Sequence, residues 1–346
     1  MPGTDPAEAM RVVAGELPGF PHLPELPDRG PGADLTGRTA GLLVDVPVEV
    51  TPRGWRVAER PGRDLARARA MLSSDLDVME EVLDGFRGPV KIQVCGPWTL
   101  AATLELPRTL NVAIADPGAV ADLTASLAEG IAAHVAEMAK RVPGARLVVQ
   151  LDEPALAAVA GGEVPTASGL SRLPAVEADV LRERLAQVIA ATGRYTLVHS
   201  CSTAVPFGII RAAGADGVAF DLSQLRRGEE DGVAESAEAG MGMLTGAVPT
   251  DLAPGTRAGR TAGPAGPGHG SAEAREAAER VIRLWRRLGL PLVTCPEQAV
   301  ITPACGLAGV SPGEARARLT RCREAGSMLA ELIEETGKGP DERTPR

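Results

Sequence analysis

The residues best able to do chemistry are a histidine and a cysteine two positions apart, His199 and Cys201, and a second cysteine far downstream, Cys305. Side chains alternate along a β-strand, so His199 and Cys201 leave their predicted strand on the same face. An imidazole and two thiolates are ligands that zinc prefers. Asp221 follows another predicted strand and would add a carboxylate, so these four residues form a candidate Zn2+ site. The alternative is that the cysteines are small buried residues.

A second group of candidates is the pair Asp152 and Glu153, which follows a strongly apolar segment and precedes Pro154. Two adjacent carboxylates at a strand end could bind the ammonium group of a substrate. The alternative is that one of them caps the next helix. Trp98, one of three tryptophans, follows another predicted strand and is a candidate for stacking on a flat ligand ring. Packing at the rim of the sheet is its alternative role.

Apolar strands alternate with long helices along most of the chain, which predicts an α/β fold with a parallel sheet. The chemically active residues come directly after the strands, where the active sites of (β/α)8 barrels lie. The predicted strands cover residues 40–48, 91–95, 147–151, 196–199, 217–220, 243–248 and 299–302. The predicted helices cover residues 5–17, 64–86, 119–141, 171–191, 205–213, 233–239, 272–288 and 312–335.

This pattern predicts a single (β/α)8 TIM barrel over residues 1–336, followed by a disordered polar tail at 337–346. A closed barrel of this type needs eight strands and the pattern contains seven. The first predicted helix starts almost at Met1, so we expect the first strand to lie upstream of residue 1. The Gly-, Pro- and Ala-rich segment 251–270 is predicted to cover the site.

The composition argues against several classes of function. The net charge of −9 over 346 residues gives no basic surface for nucleic acid. The chain has neither an apolar run of membrane-spanning length nor a signal-peptide pattern, so we expect no membrane partner and a cytoplasmic location. The five cysteines are widely spaced, which in such a compartment indicates free thiols or metal ligands.

Several segments resemble the cobalamin-independent methionine synthase family. Residues 149–156 are similar to its Q-I-D-E-P-A-L segment, residues 199–201 to its H-x-C zinc motif, and residues 303–307 to its P-D-C-G-L segment. Residues 218–221 correspond to a strand that ends in a glutamate ligand in that family, and residues 88–90 resemble its G-P-V-T strand. The matches follow the order of its C-terminal barrel or its short single-barrel members.

The resemblance implies zinc-dependent methyl transfer to the thiol of homocysteine, which forms methionine. It implies that Asp152 is a catalytic-site residue that holds the substrate amino group, and it places Trp98 near the methyl donor. The donor would be methyltetrahydrofolate or methylcobalamin on a corrinoid protein. Zinc would convert the bound thiol to a thiolate nucleophile at neutral pH.

Three departures from the family pattern bear on this interpretation. Asp221 stands in place of the glutamate ligand, and Ala247 falls near the position of the catalytic histidine of the folate-using members. The Gly-Ser-aromatic-Pro turn that binds the amino acid in the family is missing. Alternatives are transfer to another thiol, a non-catalytic zinc-binding barrel, and a zinc-independent decarboxylase of the uroporphyrinogen type.

Overall fold

The computed structural model describes residues 1–250 and 269–337. The predicted covering segment 251–270, except its last two residues, and the predicted tail 337–346, except its first, lie outside the described residues. None of the described helices is long and apolar enough to cross a membrane.

The core of the fold is a six-stranded parallel sheet whose strands neighbour one another in chain order, which confirms the predicted α/β class. Two further strands form a separate antiparallel hairpin. The described residues therefore show a partial (β/α) barrel, and the predicted closed eight-stranded barrel is not seen in them. The hairpin consists of β1 (Val48–Thr51) and β2 (Gly54–Val57), and the sheet of β3 (Gly88–Cys95), β4 (Ala145–Asp152), β5 (Tyr195–Ser200), β6 (Gly217–Asp221), β7 (Gly242–Val248) and β8 (Ala299–Pro303).

Helices connect the strands, as the alternating pattern predicted. They are α1 (Pro6–Glu16), α2 (Leu35–Ala40), α3 (Arg63–Val82), α4 (Pro97–Thr103), α5 (Pro117–Arg141), α6 (Leu156–Gly161), α7 (Ala178–Thr192), α8 (Phe207–Ala212), α9 (Glu230–Glu238), α10 (His269–Arg287), α11 (Cys295–Gln298) and α12 (Pro312–Gly337). Local signals define several starts: Asp5 and Asp116 each accept two backbone N–H groups ahead of a proline in the first turn.

Two predicted elements are wrong in part. The strand predicted at residues 40–48 is absent, because α2 continues to Ala40 and the chain then turns through Asp45, which has a positive φ of 57°. Only Val48 belongs to a strand, and it pairs with Val57 in the hairpin. The helix predicted at 171–191 begins seven residues later than expected, at Ala178, because Pro174 lies inside the predicted segment and disfavours helix.

The strands of the sheet separate apolar from polar side chains. Val90, Ile92 and Val94 of β3 belong to the large core that packs under the helices. The alternate residues of neighbouring strands include Gln93 and Gln150, which are buried and polar. Because side chains two apart share a face, the polar set lies on the face of the sheet opposite the core.

Replacement of Gly130 by alanine is expected to destabilise the protein. Gly130 lies in α5, and a Cβ there would be 2.1 Å from the carbonyl oxygen of Leu42. We expect a loss of about 3 kcal/mol in the free energy of unfolding, measured by urea denaturation. The control is Gly326→Ala in α12, where no atom lies within 4 Å and alanine should stabilise by up to about 1 kcal/mol. Equal effects at both positions would contradict the packing between α5 and Leu42.

Candidate metal and thiol site

The candidate site lies at the carboxyl ends of the parallel strands, where the sequence pattern placed it. Asp152 ends β4 and is paired in register with His199 of β5. Cys201 follows the end of β5 at Ser200, and Asp221 ends β6. The carboxyl ends of parallel strands lie at the same edge of a sheet. Residues that are up to about seventy positions apart in the sequence, from Asp152 to Asp221, therefore lie along one edge.

Cys305 reaches the same edge because β7 and the end of β8 approach closely. A Cβ on Gly246 would lie 2.7 Å from the Cα of Ala304, so only glycine leaves room for the chain at that point. The N–H of Ala304 also donates to the carbonyl of Val248 at 2.8 Å. Cys305 is the next residue, and its position is therefore set by backbone contacts.

The strongest feature of the site is the contact between two thiols. The Sγ atoms of Cys201 and Cys305 lie 3.3 Å apart, although 104 positions separate the residues in the sequence. With Zn–S bonds of about 2.3 Å, two sulfurs on one tetrahedral zinc are about 3.8 Å apart. A small separation of the two side chains would therefore admit a zinc ion between them.

The contact between the two thiols shifts their pKa values in opposite directions. The hydrogen bond with Cys201 lowers the pKa of Cys305 to about 6, and the Gly306 N–H and the charge of His199 act in the same direction. The same hydrogen bond, together with burial, raises the pKa of Cys201. The contact therefore favours the thiolate form on Cys305, the more exposed of the two, over Cys201.

His199 is oriented by a carboxylate. Its Nδ1 lies 2.7 Å from Oδ1 of Asp152, and the side-chain amide of Gln150 donates to the same oxygen at 2.8 Å. This arrangement directs Nε2 away from Asp152, and a carboxylate behind a histidine is a common support for a metal ligand. Asp152, predicted to hold a substrate amino group, is in contact with His199 in this structure.

Asp221 lies near the thiol pair but points its carboxylate to its own turn. Its Oδ1 accepts hydrogen bonds from the N–H and the hydroxyl of Ser223, at 2.8 and 2.7 Å. Its negative charge acts to raise the pKa of Cys305, against the effect of the hydrogen bond with Cys201. In the described part of the chain no group of three or more His, Cys, Asp and Glu side chains is arranged to hold a metal ion. The four predicted ligands share one edge: Cys201 and Cys305 contact each other. His199 contacts Asp152, and Asp221 contacts Ser223.

Glu153 and Trp98, which were predicted to contact the substrate, are both buried. Glu153 is 0% exposed and its carboxylate accepts hydrogen bonds from the N–H groups of Trp98 and Thr99 and from the Thr99 hydroxyl. Burial raises the pKa of Glu153 to about 7 against the effect of these donors. Trp98 is 1% exposed and its indole N–H donates to the carbonyl of Leu181. Glu153 therefore caps α4, which lies earlier in the chain, and not the next helix.

Three polar residues on the same face of the sheet were missed from the sequence. Gln150 precedes Asp152 by two positions, so strand alternation alone could have placed both on one face. Lys91 and Gln93 of β3 share that alternation, and Gln93 donates to the carbonyl of Leu23 at 2.7 Å. Burial lowers the pKa of Lys91. The sequence does not mark Lys91 and Gln93 as site residues, because a lysine and a glutamine in a strand are equally common on a solvent-exposed face.

Alkylation should distinguish the cysteines of the metal-free protein. Because the pKa of Cys305 is lowered to about 6, its thiolate is present above that pH and lost below it. Burial raises the pKa of Cys295 and of Cys322 to about 12. We expect iodoacetamide at pH 7.5 to label Cys305 first, with a rate that falls about tenfold per pH unit below 6. Peptide mass spectrometry across a pH series measures this, and uniform labelling of all five thiols would contradict it.

Comparison with known proteins gives little further information. No protein-family profile matches this chain, and no curated protein matches its sequence. Among solved structures, the chain is similar to a B12-independent methionine synthase from Shewanella sp. W3-18-1 in complex with selenomethionine, at 14% sequence identity and a TM-score of 0.48. The match covers 81% of this chain and 72% of that chain. A likeness of this size does not identify a fold family or an activity.

Proposed function

We propose that this protein is a zinc-dependent methyltransferase that transfers a methyl group to the thiol of homocysteine. The observation that carries the proposal is the contact between Cys201 and Cys305 beside a histidine oriented by Asp152. The resemblance of residues 149–156, 199–201 and 303–307 to the cobalamin-independent methionine synthase family supports the same reaction.

The donor set fits zinc in its chemistry. Cys201, Cys305 and Nε2 of His199 would hold the ion, and Asp221 would complete the set after giving up its contact with Ser223. When bound, zinc would deprotonate a substrate thiol and make it nucleophilic at neutral pH. Two protein thiolates would leave the metal electron-rich, which favours a reactive substrate sulfur. Asp152 would keep the His199 ring in place and offer negative charge to a substrate ammonium group.

The methyl donor is the least constrained part of the proposal. Ala247 is 2% exposed, near the position where the resemblance would place a catalytic histidine, and its side chain cannot donate a proton. Transfer from methyltetrahydrofolate benefits from a proton on the departing nitrogen, whereas methylcobalamin needs none. The chain therefore favours methylcobalamin or a corrinoid protein as donor, with methyltetrahydrofolate as the second candidate.

The test measures zinc and turnover on the same preparation. We expect about one zinc per chain by elemental analysis, and methionine formation from homocysteine with methylcobalamin. Activity with methyltetrahydrofolate alone, unchanged by Ala247→His, would contradict the donor assignment. Zinc-free protein that nevertheless methylates homocysteine would contradict the metal assignment.

Two alternatives make different predictions in the same assay. Transfer to another thiol predicts that a panel of small thiols contains a better acceptor than homocysteine. A non-catalytic zinc protein predicts bound metal without turnover with any donor or acceptor. The contact between the two thiols supports metal binding in all three cases, and the acceptor panel separates them.

A further inference from the structure

A pocket lined by arginines lies directly beside the thiol pair. Its volume is about 290 Å3, and its cationic lining residues are Arg280, Arg283 and Arg287 of α10. These positions are three and four residues apart, so they follow one face of the helix. Asp221 is the only carboxylate among the lining residues. The lining therefore carries three positive charges and one negative charge on a chain whose net charge is −9.

We propose that this arginine pocket binds an oxyanion group, either a phosphate or a set of carboxylates. The chemistry of guanidinium favours this class of ligand, because its fork of N–H donors matches both groups in pairs. The pocket volume suits the anionic part of a small molecule and lies at the lower end of the range for ligand sites. The proposal concerns binding only and does not require methyl transfer.

The ion pairs already made by the arginines do not use up their binding capacity. Glu276 is shared, since it accepts from both Arg280 and Arg283, at 3.2 and 2.8 Å. Arg283 also forms an ion pair with Glu279 at 3.5 Å. Arg287 pairs with Glu230 through Nε at 3.0 Å, and among the described residues its two terminal nitrogens have no hydrogen-bond partner. All three arginine side chains are between 41% and 48% exposed, and such exposed pairs exchange readily for a better acceptor.

The backbone holds one of the guanidinium groups toward the strand end. Arg280 donates to the carbonyl of Ala247, the penultimate residue of β7, at 3.4 Å. Pro249 and Ala304, which follow β7 and β8, complete that side of the pocket. Loops that follow the last two strands are a frequent place for phosphate in complete (β/α)8 barrels. Both the position of the pocket and its positive charge therefore favour an anionic ligand.

A ligand bound in the arginine pocket would lie beside the candidate metal site. Asp221 lines the pocket and Ala304 lines it immediately before Cys305. A ligand anchored here by its anionic end would lie next to the thiol pair with its remaining atoms. Binding of the anion itself uses the arginines of α10 and needs no metal ion.

The experiment is calorimetric titration of the full chain with two probes, inorganic phosphate and citrate, at fixed ionic strength. We expect saturable binding of at least one probe, weakened at least about tenfold in Arg280→Gln/Arg283→Gln because charge-assisted hydrogen bonds are lost. Arg286→Gln is the matched control, since Arg286 is exposed on the same helix and does not line the pocket. Its affinity should stay within about twofold of the wild type.

The titrations test whether the arginine pocket binds an anion and which kind of anion it binds. Binding of phosphate alone assigns a phosphate group, and binding of citrate alone assigns carboxylates. The absence of saturable binding of either probe, or an equal loss in Arg286→Gln, overturns the proposal. Cys305→Ser should bind the same probe as the wild type, so failure of the metal proposal and failure of this one give different results.

Discussion

Replacement of Cys305 by serine is expected to remove the zinc and abolish methyl transfer. A serine hydroxyl is a poor zinc ligand at neutral pH, because it must lose a proton far more tightly held than that of a thiol. Loss of an outer-shell partner of a metal ligand typically costs about 10–100-fold in affinity or activity. We expect Cys305→Ser to exceed that range in both zinc affinity and the rate of methionine formation.

Two further variants provide comparison values for zinc affinity and activity, one with an intermediate expected effect and one with none. Asp152→Asn removes the carboxylate behind His199 but leaves every proposed ligand in place, so its effect should fall within the range of about 10–100-fold. Cys322→Ala changes a buried cysteine in α12 that packs in the core and is not one of the proposed ligands. It should keep full zinc. A Cys305→Ser protein that binds zinc and turns over like the wild type would contradict the site.

Replacement of Glu153 by alanine is expected to cause the largest loss of stability. The variant would leave the N–H groups of Trp98 and Thr99 without their acceptor in a fully buried place. It would also free the Thr99 hydroxyl, which accepts the N–H of Ala155 and links the start of α6 to α4. With about 1–3 kcal/mol for each buried group left unpaired, we expect a loss of about 4 kcal/mol.

Chemical denaturation of matched variants measures this effect. Glu163→Ala removes an exposed carboxylate from the same region and should change stability by no more than about 0.5 kcal/mol. Glu153→Gln keeps the shape, but its amide nitrogen would face N–H donors, so it should lie between the wild type and Glu153→Ala. A loss below about 1 kcal/mol in Glu153→Ala would show that the carboxylate does not hold α4 in place.

Strand alternation and capping made part of the site predictable. His199 and Cys201 were placed on one face because their spacing matches the period of a strand, and Asp152 was placed at the end of β4 by the proline that follows. The six strands from residue 88 onward were predicted because apolar segments bounded by glycine and proline carry strong local signals. Helix starts were less accurate where capping was weak, as at Ala178.

The sequence by itself therefore determined the α/β class, the order of the strands, and the edge of the sheet at which the thiols and carboxylates collect. These properties depend on local periodicity, which each segment carries alone. The tertiary structure decided that Glu153 faces inward to α4, that Asp221 turns to Ser223, and that Arg280, Arg283 and Arg287 line a pocket beside Cys305. Each of these depends on which distant backbone groups and side chains come within hydrogen-bond or packing distance, and no local spacing encodes that.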